Sequence, residues 1–345
     1  MSRWAVEGVA SRLGGFALGP VDLELGPGEV VAVLGASGAG KTTLLRTLAG
    51  FLPAREGRIA CDGVDLTGTP PERRGLGYVP QGLGLLPHRT VEGNVRYPLE
   101  LRGRPDAAAR ARELLRRFGL TDLARRYPGQ LSGGERERVA LARTVVAEPE
   151  LVLWDEPWQA LDVEARHQLS LVLAELQETT HVPLVVVTHD PALAFSTAGT
   201  FLVLDRGRPV FQGRPEELLE APYDAFTARF VGLENVYEPP ALAGPGPGSL
   251  PAWLRDRAGP GGVAFPSPEP GEPPTTGGRW EGTVRAARPT PDGCAIAVVV
   301  DGLPVALRRR RPLPGAVPRV GDRLRFDVEE KTVRALGERL PKGGR

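Results

Sequence analysis

The stretch Gly35-Ala36-Ser37-Gly38-Ala39-Gly40-Lys41-Thr42-Thr43 follows directly on the apolar run Val30-Val31-Ala32-Val33-Leu34 and leads into residues 44–48, which continue as a helix. A buried strand, a glycine-rich turn and a helix in that order specify an α/β unit. The glycines let successive backbone N–H groups turn inward on a phosphate, Lys41 can reach the outer phosphates, and the Thr42 hydroxyl can join the shell of a Mg²⁺ ion. The helix behind the turn directs its positive dipole end at the same anion. All three elements point to a nucleoside triphosphate.

Further polar groups stand at the ends of apolar runs. Residues 151–154 read as a buried strand ending in Asp155-Glu156. Two carboxylates there are costly unless a cation or hydrogen-bond donors meet them. A nucleotide-borne Mg²⁺ would meet them, with Asp155 holding the ion through water and Glu156 facing an attacking water. A third strand, residues 184–188, ends at His189, and ligands of open α/β sheets bind at that edge. Gln81 follows the strand-like residues 76–79 and is by itself only a loop amide. Ser132 and Glu135 fit a capping box, while Gly133 and Gly134 expose backbone N–H groups that suit an anion equally well. Asp162 favours the N-terminus of the next helix.

Around these positions, residues 21–25 alternate as a half-buried strand, and residues 57–62 with Asp62-Gly63 predict a strand and hairpin. Residues 106–118 predict an amphipathic helix stopped by Gly119. Residues 201–204 and 209–211 complete the sheet. Lys and Arg total 43 against 42 Asp and Glu, a net charge of +1 that gives no sign of a nucleic-acid partner. Cys61 and Cys294 lack the paired spacing of a disulfide framework or zinc site. No apolar run approaches a membrane span and the first residues lack a secretory h-region, so a role at a membrane is expected to come through a partner.

Residues 239–279 are rich in Pro and Gly and read as a linker or long loops. Beyond them, residues 280–286, 294–300, 304–307 and 323–328 are short strand-like runs that suggest a small β-barrel. The arginines at 308–311 read as a solvated loop, since stacking aromatics are absent around them.

Taken as an ordered set, residues 1–232 resemble the ATP-binding subunit of an ATP-binding-cassette transporter. Residues 35–42 resemble the Walker A loop, Gln81 the Q-loop, residues 131–135 the family signature, residues 151–156 Walker B, residues 160–162 the D-loop, and His189 the switch histidine. The resemblance implies a P-loop NTPase cassette with a helical subdomain over about residues 82–150. It also implies an oligomer-binding-like, all-β accessory domain over residues 233–345. In such a cassette ATP and Mg²⁺ are bound, Asp155 serves the metal, Glu156 polarises the hydrolytic water, and His189 steadies the γ-phosphate. Gln81 senses the metal and links to the permease. The implied assembly is a head-to-tail homodimer in which Ser132 and Gly134 of one subunit contact the γ-phosphate held by Lys41 of the other.

Residues 85–95 resemble the importer version of the segment that follows the Q-loop. That implies a peripheral subunit on the cytoplasmic face of the membrane, energising a permease fed by an extracytoplasmic solute-binding protein. An inorganic ion such as molybdate, sulfate or ferric iron is the favoured solute, with polyamine or sugar import the alternative. A soluble cassette acting on nucleic acid or the ribosome, and an exporter, are the competing readings. The chain departs from the family pattern in Glu135 and Glu137, where glutamines are usual. It has no aromatic for adenine stacking around Arg12-Leu13-Gly14, which leaves Phe16 as the nearest candidate. The segment 263–269 lacks the family's arginine.

Overall fold

The computed structural model describes residues 2–157, 161, 163–220, 222–237, 255, 258, 262–265, 278–290, 293–300, 303–310, 323–328 and 333–336. The chain divides into two compact units, Met1–Pro215 and Glu216–Arg345. The division falls ahead of residue 232, where the sequence places it, because α7 (Ala225–Phe230) contributes Ala228 to a small cluster with Ala264.

The first unit is built on β3 (Val30–Leu34), β6 (Leu76–Val79), β7 (Leu151–Asp155), β8 (Leu184–Val187) and β9 (Thr200–Asp205), with β10 (Arg208–Gly213) antiparallel at one edge. The sheet order is β10-β9-β3-β8-β7-β6, and all pairs but the first are parallel. β3, β7 and β8 are buried at every position. That is why their sequences run apolar without alternation, as in sheets covered on both faces. A second, antiparallel sheet has the order β2-β1-β4-β5, from β1 (Trp4–Leu13), β2 (Phe16–Leu25), β4 (Ala54–Cys61) and β5 (Val64–Asp65). Only part of β2 is signalled by alternation. The helix α1 (Lys41–Ala49) sends Leu44, Leu45 and Leu48 into a core shared with Trp4, Val9, Leu23, Val33, Leu153 and Leu202 from both sheets. One apolar layer thus fixes the helix that follows the glycine-rich turn.

α2 (Val91–Leu101), α3 (Ala107–Arg117) and α4 (Gly133–Val145) occupy the expected helical region. Asn94, wholly buried on α2, accepts from Leu86 N at 2.7 Å and donates to the Leu86, Arg89 and Thr90 carbonyls at 3.0 Å each. Arg143 on α4 donates to the Leu83 carbonyl at 2.8 Å and to the Gly84 carbonyl at 2.5 Å. Between them the two side chains satisfy the backbone of the segment that follows Gln81.

In the second unit, β11 (Asn235–Tyr237), β12 (Gly262–Phe265) and β17 (Arg334–Leu336) form one antiparallel sheet. β13 (Gly278–Thr290), β14 (Gly293–Val300), β15 (Leu303–Arg310) and β16 (Arg323–Val328) form another, in the order β15-β14-β13-β16. Tyr237 and Phe265 of the first pack with Trp280, Val284, Ile296 and Phe326 of the second in one core. The Asn235 amide donates to the Ala306 carbonyl at 3.1 Å and accepts from Ala306 N at 2.8 Å, joining an edge of each sheet. β12 corrects the reading of 239–279 as linker: Ala264 and Phe265 are fully buried, and the proline and glycine around them masked that short apolar run. The arginines expected in a loop are corrected as well, since Arg308 and Arg309 pair with Ala295 and Cys294 inside β15.

Arg74 closes the far end of α1. Buried to 3% exposure, it donates to the Thr47 and Leu48 carbonyls at 3.1 and 2.7 Å and to the Thr67 and Thr69 carbonyls at 2.9 and 2.8 Å. The substitution Arg74→Met keeps the apolar stem and strands these acceptors, so it should lower the unfolding free energy by about 3 kcal/mol in urea melts. A loss below about 0.5 kcal/mol would mean that water replaces the guanidinium.

Candidate functional site

The turn between β3 and α1 is fixed by close backbone packing. Gly35 has φ 149°, and a β-carbon there would lie 2.4 Å from the Leu204 carbonyl oxygen at the end of β9, so no other residue fits without displacement. Gly40 caps α1 in a left-handed conformation with φ 107°. The Lys41 ammonium arches back over the turn, donating to the Gly35 and Ala36 carbonyls at 2.8 and 3.1 Å. Burial lowers its pKa, opposed by the nearby Glu156 and Asp155 carboxylates. The Phe16 ring packs on Gly40, close enough that a β-carbon there would stand 2.9 Å from its Cζ.

At the same edge, the Thr42 hydroxyl donates to Asp155 Oδ1 at 3.3 Å. Asp155 is 3% exposed, and burial raises its carboxyl pKa against the stabilising pull of Thr42, Arg46 and Lys41. Sequence reasoning missed Tyr78, which stands near Arg46 and Asp155 and whose pKa is raised, chiefly by burial and next by the Asp155 charge. A tyrosine on a strand next to Gln81 was its only signal. Glu156 takes φ 55°, a conformation rare outside glycine, while its amide donates to the Val187 carbonyl at 3.0 Å. Its Oε2 accepts from His189 Nδ1 at 2.7 Å, an arrangement that places the ring proton on Nδ1. The carboxylate is 14% exposed and the imidazole 63%.

Thr42 is therefore joined to Asp155, and Glu156 to His189, at the ends of strands that neighbour one another in the sheet. Ser132 instead bonds within its own helix: its hydroxyl accepts from Glu135 N at 3.3 Å and Glu135 Oε2 accepts from Ser132 N at 2.6 Å. Glu135 thus completes a capping box at the start of α4. Gly134 is buried, and a β-carbon on it would meet Ala165 Cβ at 2.7 Å on α5 (Val163–Thr180). Gln81 stands on an exposed turn just past β6. Asp162 lies outside the described residues. One buried carboxylate and one hydroxyl are too few ligands for Mg²⁺ alone, and they are the set that a phosphate-chelated ion completes.

The family model described as ABC transporter matches residues 18–159. The chain is 44% identical over 230 residues to the sulfate/thiosulfate import ATP-binding protein CysA of Mycobacterium tuberculosis, a match covering 66% of each chain. It is 44% identical over 237 residues to the Fe(3+) ions import ATP-binding protein FbpC of Streptomyces coelicolor, covering 68% of each. The ATP-binding cassette MJ0796, solved as a dimer in a post-hydrolysis state with ADP and Pi, superposes with TM-score 0.55 at 29% identity, over 61% of this chain and 98% of that one. The matched stretch thus spans about two thirds of the length of the curated relatives.

Glu137, on α4, is 5% exposed and faces the Trp154 indole, and burial pushes its carboxyl pKa from 4.5 up to about 8. The folded state therefore holds a proton that the unfolded chain releases above pH 4.5. The resulting destabilisation is absent below that pH, grows as pH rises toward 8 and is complete above about 8. Glu137→Gln should remove it, raising stability at pH 8 by on the order of 1–3 kcal/mol with little change at pH 4. Urea melts of both chains at the two pH values check this.

Proposed function

The chain belongs to the ABC transporter family, and from that membership we propose that it hydrolyses MgATP as a head-to-tail pair of identical chains and thereby drives solute import through a separate membrane permease. The observation that carries the chemistry is the convergence of Lys41, Thr42, Asp155, Glu156 and His189 on one sheet edge, with Thr42 on Asp155 and His189 on Glu156. The amides of residues 36–43 and the Lys41 ammonium hold the phosphates, Lys41 exchanging two backbone carbonyls for phosphate oxygens. Thr42 and Asp155 would hold the Mg²⁺ that arrives with the nucleotide, in the field of the nearby Arg46 and Lys41 cations. Glu156 orients the attacking water and accepts its proton, and His189 keeps the carboxylate turned toward the site.

Ser132, Gly133 and Gly134 of the second chain cover the γ-phosphate across the pair, while Gln81 would couple the metal site to the permease. The dimeric solved relative supports this pairing. The import ATP-binding relatives support a pair docked peripherally on the cytoplasmic face, with a solute-binding protein outside delivering the cargo; no described helix is long and apolar enough to cross a membrane. An inorganic ion is the favoured cargo, since relatives of 44% identity carry the names of sulfate/thiosulfate and of Fe(3+), and a polyamine is the alternative, since a relative of 43% identity carries the name of putrescine. The C-terminal β unit is an accessory to the pair.

Glu156→Gln keeps the shape of the water site and removes its base. MgATP binding should persist while steady-state hydrolysis falls at least about 100-fold, with the pair trapped as an ATP-bound dimer on size exclusion. Turnover at the wild-type rate would remove Glu156 from the mechanism.

Ser132→Arg and Lys41→Ala homodimers should both be inactive. A mixture of the two chains should regain part of the activity, because one composite site in the heterodimer is then wholly intact. Were Ser132 only a helix cap, the Ser132→Arg homodimer would stay active and lose on the order of 1 kcal/mol of stability.

A further inference from the structure

Arg166, in the first turns of α5, joins the chain just ahead of that helix to the loop that carries His189. Its Nε donates to the Leu161 carbonyl at 3.1 Å, in the connection that leaves β7, and its terminal nitrogen meets Asp190 Oδ2 at 2.5 Å. Asp190 is tied on every other side. Its second carboxylate oxygen accepts from Leu193 N at 3.2 Å, capping α6 (Pro191–Thr197), and its amide donates to the Thr188 hydroxyl at 3.0 Å. His189 sits between these two anchored residues, with Nδ1 on Glu156.

We propose that Arg166 is a positioning residue: its guanidinium ties the Leu161 carbonyl, ahead of α5, to the loop that carries His189, and so holds the imidazole in place beside Glu156. A planar fork with a fixed spread of donors suits such a bridge, and a single flexible ammonium does not. The Arg166 side chain is 45% exposed, and an ion pair so placed contributes little to stability. Its importance lies in geometry. The kinetic consequence rests on the ATPase reading above, whereas the placement of His189 does not.

The test uses the full chain with Arg166→Gln, Asp190→Asn and the double variant. Asp190→Asn retains the oxygen that caps α6 and loses only the pair with Arg166. Each single change should lower kcat about 10- to 100-fold with KM for MgATP shifted less than about threefold. The double variant should be no more than about threefold slower than the slower single, because both changes break one contact. ¹⁵N NMR of the imidazoles, of which the chain has four, should show the His189 Nδ1–H resonance in the wild type, and its loss in all three variants. Single variants within about twofold of the wild-type kcat, effects that multiply in the double variant, or an unchanged His189 resonance would each overturn the proposal. A wild type without turnover would sink the ATPase reading and leave the His189 resonance to decide the positioning role.

Discussion

The contact on which the rest of the first unit depends is the packing of the 35–40 turn against the end of β9. Gly35 meets the Leu204 carbonyl at a separation that excludes even a methyl group, and the Ala39 carbonyl accepts from Gly207 N at 2.9 Å in the turn beyond β9. A turn held from behind in this way cannot relax when an anion enters it. Its direction sets the axis of α1, and the axis of α1 sets where Thr42 meets Asp155. Parallel pairing does the remaining alignment: Val33 and Asp155 are both in register with Val187, so three strands deliver their polar ends at one level. Preorganisation of this kind means that the site pays little reorganisation on binding.

Two buried carboxyls close to β7 show how differently the fold treats the same chemical group. Asp155 has the Thr42 hydroxyl and two cations beside it, so its charge has partners within the protein even though burial and the neighbouring Glu156 carboxylate work against it. Glu137 is buried against an indole with the Arg136 cation a minor influence, so its carboxyl stays protonated well into the neutral range. The first is a group held ready for a cation. The second is a neutral acid filling a helix–strand contact, which is how a glutamate can stand where an amide would serve.

The parallel strands were legible because burial on both faces leaves continuous apolar runs, and the Asp62-Gly63 hairpin because both residues adopt positive φ, 48° and 80°. α3 and α4 were legible from their periodicity and caps. β1 was not: a register shift between Val6 and Val9, around Gly8 at φ 59°, breaks the alternation that would have revealed it. β12 was hidden by its proline- and glycine-rich surroundings. The site residues that carry motif spacing were readable in order, but Tyr78, Arg46 and Arg166 act through partners distant in sequence, and nothing in their own neighbourhoods announces it. Burial decided the character of Glu137, and burial is a property of the assembled helix and strand rather than of the residue.

The pairing of Asn235 with Ala306 has a consequence for life at high concentration. Among the described residues β15 is the outermost strand of its sheet, and an outermost strand offers N–H and C=O groups to any extended chain that collides with it. Here a side-chain amide occupies both groups of Ala306 with the donor and acceptor that an invading strand would bring. An intruder from a neighbouring molecule must first displace that two-pronged plug, so a single asparagine acts as a gatekeeper against strand-by-strand aggregation.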